Sequence, residues 1–71
     1  MPIVVYPNPA FTQLHVKLDT QEPADYNIYS ITGQILLQGE IQDDLPINIE
    51  SLASGMYYLK VLNKTVKFVK E

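Results

Sequence analysis

The sequence predicts an all-β fold, a small seven-stranded antiparallel sandwich of two sheets with immunoglobulin-like character. Three observations predict it. Apolar and polar residues alternate with period two in short windows, each bounded by turn formers. Ile, Val, Leu and five tyrosines favour strands over helices. Finally, Gly55-Met56-Tyr57 sets a tyrosine where sandwich domains keep one, near the start of the penultimate strand, its hydroxyl bonding back to the upstream backbone.

The first strand runs over Ile3 to Tyr6 and is stopped by Pro7-Asn8-Pro9, whose prolines fix φ and remove two backbone donors. The second, Leu14 to Leu18, puts Leu14, Val16 and Leu18 on one face and His15 and Lys17 on the other. A turn-forming stretch, Asp19 to Pro23, leads into a third strand at Asp25 to Ser30, and Thr32-Gly33 returns the chain as a hairpin into Ile35 to Ile41. Gly39 inside that fourth run signals a bulge or a close approach of backbone. Asp43-Asp44 breaks the pattern, and Leu45 to Ile49 resumes it with Ile47 and Ile49 facing the same way. Pro46 there indicates an edge.

Ser51 to Gly55 is too short for a stable helix and reads as one tight corner into Met56 to Leu62. Tyr57, Leu59 and Val61 form the expected core face of that sixth strand, with Met56, Tyr58 and Lys60 outward. Immunoglobulin domains carry a disulfide cysteine two residues after the corner tyrosine. Here that place is Leu59, so packing replaces the bridge. Asn63-Lys64 is the expected two-residue turn into a last strand, Thr65 to Val69, with Val66 and Phe68 inward and Lys67 and Val69 outward.

Seventy-one residues suffice for one domain, residues 1–71. The absence of cysteine removes disulfides, thiolate metal sites and cysteine nucleophiles, and a single histidine cannot build a metal cluster. No apolar run approaches the ~20 residues of a membrane-spanning helix, so membrane insertion is not expected. Met1 to Ala10 lacks the basic start and apolar stretch of a signal peptide, which places any export signal upstream in a longer polypeptide. The net charge of -3 is unevenly spread. Acids dominate up to residue 54, where Lys17 is the sole cation, whereas Lys60, Lys64, Lys67 and Lys70 face only Glu71 beyond it. With no arginine and an acidic balance, nucleic acid is not an expected partner.

Catalytic groupings are sparse. Ser51 and Ser54 have no histidine near them in sequence, and a triad would have to draw His15 from a distant strand. Glu40, Asp43 and Asp44 offer oxygens to a Ca²⁺ ion, though an acidic solvated turn accounts for them more simply. Tyr26, Tyr29 and Tyr58 would bind sugar by stacking only if they shared an exposed face, and core or cross-strand packing explains them more simply. The expectation is a protein that is not an enzyme and needs no cofactor.

Three ordered motifs remain. Val5-Tyr6-Pro7-Asn8-Pro9-Ala10 opens the chain. Tyr29-Ser30-Ile31-Thr32-Gly33-Gln34 and then Leu52-Ala53-Ser54-Gly55-Met56-Tyr57 occupy its centre, and Lys67-Phe68-Val69-Lys70 stands at its end. In this order they resemble the type IX secretion system (Por secretion) C-terminal sorting domain family, type A, which has a Y-P-N-P opening, a mid-domain turn glycine, an L-x-x-G-x-Y corner and a lysine-flanked apolar ending. The resemblance spans Val5 to Glu71.

The resemblance implies an address label at the C-terminus of a cargo protein in Bacteroidetes-type bacteria. An upstream signal peptide would carry the cargo to the periplasm, and the label would direct it across the outer membrane to the cell surface. Its implied partners are the outer-membrane translocon, a sortase-like cysteine protease that removes the label, and the cargo domain in cis. Lys67, Phe68, Val69 and Lys70 are the expected recognition residues, with Pro7, Asn8 and Pro9 a second contact. Strand addition to an open last edge is the expected mode, the lysines steering the encounter. Gly33, Leu52, Gly55 and Tyr57 are expected to be architectural. The competing reading is a non-catalytic accessory sandwich that binds carbohydrate or a partner protein.

Overall fold

The computed structural model describes residues 3–18, 22–42 and 45–71. Its strands are β1 (Val4–Tyr6), β2 (Gln13–Lys17), β3 (Ala24–Ser30), β4 (Ile35–Ile41), β5 (Pro46–Asn48), β6 (Gly55–Val61) and β7 (Lys64–Lys70), and no helix occurs among the described residues. They form two antiparallel sheets, a three-stranded one in the order β1-β2-β5 and a four-stranded one in the order β4-β3-β6-β7. The expected two-sheet sandwich is what the chain builds. The expected turn at Asp19 to Pro23 lies partly outside the described residues, and Asp43-Asp44 wholly so.

Period-two alternation decides which side chains meet between the sheets. β2 contributes Leu14 and Val16, with Leu18 just beyond, and β5 contributes Ile47, with Ile49 following it. Opposite them lie Ala24 and Ile28 of β3, Ile41 of β4, Tyr57, Leu59 and Val61 of β6, and Phe68 of β7. Leu59, where immunoglobulin domains keep a cysteine, is 1% exposed and stands between Ile28 and Val66 in the ladders. Burying such a side chain contributes about 1.5–3 kcal/mol, which lets packing serve where a bridge would otherwise. The radius of gyration, 11.0 Å, equals the roughly 11 Å of a compact chain this long.

The β3–β4 hairpin closes through Ser30 to Gln34. Gly33 takes φ 92°, which L side chains rarely adopt, and donates its N–H to the Ser30 carbonyl at 3.0 Å. Ser30 Oγ accepts from Gln34 N–H at 3.2 Å and shares a 2.8 Å hydrogen bond with Thr32 Oγ1. The ladder then runs without a break from Ile28↔Leu37 to Ala24↔Ile41, while Tyr29 pairs with Ile35, so Leu36 is the extra residue of a bulge. The irregularity foreseen at Gly39 therefore sits three residues earlier. What approaches Gly39 is the ring of Tyr26, its register partner: a Cβ on Gly39 would lie 3.2 Å from that ring.

The turn between β6 and β7 is Leu62-Asn63, one residue earlier than Asn63-Lys64, because Val61 pairs with Lys64. Leu62 takes φ 58°, the first central place of the turn. The shift keeps Phe68 opposite Tyr57 on the core face; a slip of one residue would turn it to solvent. Pro46 lies on an edge strand, as its missing donor requires.

Candidate functional site

The corner before β6 is built from local hydrogen bonds. Asn48 Oδ1 accepts from Glu50 N–H at 2.9 Å, and Leu52 N–H donates to the Ile49 carbonyl at 3.0 Å, which tucks the Leu52 side chain into the core. Gly55 follows with φ 152° and turns the chain into the strand. Tyr57, two residues on, donates its hydroxyl to the Ala53 carbonyl, the backward bond of a tyrosine corner. Leu52, Gly55 and Tyr57 are thus joined as one structural element, and Gly33 belongs to a separate hairpin turn.

β7 carries the terminal motif along the edge of the four-stranded sheet. Phe68 is fully buried, its ring 5.7 Å from that of Tyr57 with 29° between planes. A folded partner surface therefore has no access to the Phe68 side chain. Lys67 is exposed and stands opposite Tyr58, whereas Val69 and Lys70 are half-buried. Val69 was expected to project freely; instead the opening loop lies alongside it.

That loop joins the two ends of the chain. Asn8 Oδ1 accepts from Val69 N–H at 3.0 Å, Ala10 N–H donates to the Val69 carbonyl at 2.8 Å, and Glu71 N–H donates to the Ala10 carbonyl at 2.8 Å. Ala10 forms a parallel bridge with Lys70, and its methyl is fully buried. Pro7, Asn8 and Pro9 are exposed beside it. The opening and closing motifs, far apart in sequence, thus make one continuous surface. Ala10 was not singled out from the sequence. The available signal was its place directly after Pro9: neither Pro7 nor Pro9 can donate, and the first backbone N–H past them, that of Ala10, is spent on the terminal strand.

The other candidates lie elsewhere. His15 is on the outer face of the three-stranded sheet, stacked on Tyr6 with centroids 5.1 Å apart and planes 8° from parallel, and its other register partner is Pro46. Tyr29 and Tyr58 are half-buried cross-strand neighbours on the outer face of the four-stranded sheet, whereas Tyr26 packs against the core. Asp25 and Glu40 face one another across β3 and β4 beside an open depression of about 490 Å³ lined also by Tyr26, Asn27, Gln38 and Gly39. No group of three or more acidic, histidine or cysteine side chains suited to a metal occurs among the described residues. The Asp43 and Asp44 members of the Ca²⁺ set lie outside them.

Comparison with known proteins decides the family. A family model described as a secretion system C-terminal sorting domain matches residues 4–71. The chain belongs to the type IX secretion C-terminal sorting domain family. No curated protein matches it significantly. For a sorting domain, the family implies a non-catalytic tag that acts with the type IX secretion machinery on a cargo in cis, passing through the periplasm towards the cell surface. The matched span takes in the opening loop, the tyrosine corner and the terminal strand of this sorting domain together.

Proposed function

We propose that this chain is a single sorting domain at the end of a longer exported cargo, that the outer-membrane translocon recognises it, and that a sortase-like cysteine protease then cleaves it from the cargo. The recognition surface is the edge of β7 with the adjoining loop: Lys67, Val69 and Lys70 from one end of the chain, Pro7, Asn8 and Pro9 from the other. Phe68 contributes by anchoring that strand from within. The observation that carries this reading is the convergence of the two terminal motifs through Asn8, Ala10, Val69 and Glu71. Lysines along the edge add positive charge to an otherwise acidic domain, which favours a carboxylate-bearing partner.

The test is to fuse the domain behind a periplasm-directed fluorescent protein in a host that has the secretion system. Export to the surface or medium is expected, and complete periplasmic retention would sink the proposal. Deleting Lys67 to Glu71 should stop export while the fluorescent cargo stays folded. The accessory-sandwich reading has weaker support, because Tyr29 and Tyr58 are half-buried rather than displayed as a stacking platform; a glycan-binding screen of the isolated domain addresses it.

A further inference from the structure

The outward backbone groups of β7 are not equivalent. In an antiparallel edge strand, alternate residues turn their N–H and C=O towards the neighbouring strand and the rest turn them outward. Val69 bonds outward, to Asn8 and Ala10, so Thr65 and Lys67 share its orientation and Glu71 continues it. Val69 and Glu71 are already occupied. Among the described residues, the outward groups of Thr65 and Lys67 have no such protein partner.

We infer that Asn8 to Ala10 form a strap that closes the C-terminal half of the β7 edge, and that an incoming acidic strand must displace it to pair along the whole edge. The partner's chemistry follows from the edge. Lys67 lies on the outer face of β7 with Lys60 beyond it on β6, and Lys64 and Lys70 lie on the other face. Together they would repel a second copy of β7, and the outer pair attracts an extended segment whose carboxylates, on alternate residues, all fall on that face. Apart from the buried Ala10 methyl, the strap is held among the described residues only by replaceable hydrogen bonds. It holds Val69 through one side-chain amide and one backbone N–H and holds Glu71 through one carbonyl, each a bond that water or another strand can replace. Thr65 and Lys67 form the open end where pairing starts, and the strap sets how far it proceeds. The inference deepens the sorting proposal only in identifying the translocon as the natural source of such a strand.

The experiment uses the ¹⁵N-labelled domain and, as probe, a capped octapeptide of alternating Val and Glu. In the unmodified protein the amides of Val69 and Glu71 should exchange with solvent more slowly than that of Lys67. Asn8→Ala should speed Val69 exchange about fivefold, the loss of one hydrogen bond, with Leu59 unchanged. Asn8→Asp, which keeps an oxygen acceptor, should restore slow exchange. Peptide addition should shift Thr65 and Lys67 first. Asn8→Ala should bind it about fivefold more tightly, with shifts extending to Val69 and Glu71 and affinity falling with salt. Equal exchange at Lys67, Val69 and Glu71, equal peptide affinity for both proteins, or shifts centred on β4 instead would each overturn the strap. Retention of the unmodified fusion in the periplasm would defeat the sorting proposal instead, and the exchange and peptide data would still decide the strap.

Discussion

Tyr57 and Phe68 face each other across β6 and β7 with rings 5.7 Å apart, while the Tyr57 hydroxyl reaches back to the Ala53 carbonyl. One side chain therefore ties the central corner to the terminal strand. Its ring fills the core beside Phe68, and its hydroxyl fixes where the corner ends and the strand begins.

The hydroxyl's share can be isolated. Tyr57→Phe keeps the ring and leaves the Ala53 carbonyl without this donor, which should cost about 1–2 kcal/mol. For a domain of this size each kilocalorie lowers the melting temperature by roughly 4–8 °C. Thermal and urea unfolding followed by circular dichroism would read the loss. An unchanged midpoint would show that the corner does not depend on the hydroxyl.

A turn offers a change of opposite sign. Leu62 holds φ 58° in an exposed two-residue turn, a conformation that asparagine tolerates and branched side chains resist. Leu62→Asn should stabilise the protein by about 0.5–1 kcal/mol, and Leu62→Val should destabilise it by a similar amount. If urea midpoints moved in the same direction for both, backbone strain at Leu62 would not be the cause.

Gly39 and Tyr26 invite a double-mutant cycle. A Cβ at Gly39 would meet the Tyr26 ring at 3.2 Å, and Tyr26 is half-buried against the core. Gly39→Ala should be neutral or destabilising in the native background. With Tyr26→Ala also present it should stabilise by about 0.4–1 kcal/mol, the ordinary gain from restricting the unfolded chain. A coupling energy near zero would mean that the ring moves aside freely.

The extent to which the fold was legible follows from what each element required. Strands whose faces differ in polarity announced themselves: Leu14, Val16 and Leu18, or Tyr57, Leu59 and Val61, all went where alternation put them. Features set by partners distant in sequence did not. The bulge at Leu36 is defined only once Tyr29 pairs with Ile35, and the turn at Leu62 only once Phe68 is drawn opposite Tyr57. The same distinction holds at the site. Lys67 could be placed on an outer face by parity alone, but capture of the outward Val69 N–H depends on Asn8, which lies 61 residues away in the chain. No local pattern carries that contact.

The terminal motif mixes two roles that export assays alone would confuse, and Lys67 and Phe68 separate them. Phe68 is fully buried, so Phe68→Ala should cost about 3–5 kcal/mol, comparable to the entire stability of many small domains. Export would then fail because the label unfolds. Lys67→Glu changes an exposed side chain and should move stability by no more than about 0.5 kcal/mol while reversing charge at the open end of the edge. If β7 is read directly, Lys67→Glu slows export with the unfolding midpoint unchanged, and Phe68→Leu, which keeps most of the buried volume, restores what Phe68→Ala loses. Normal export of Lys67→Glu would remove electrostatic reading of this edge and leave the terminal motif a purely structural part.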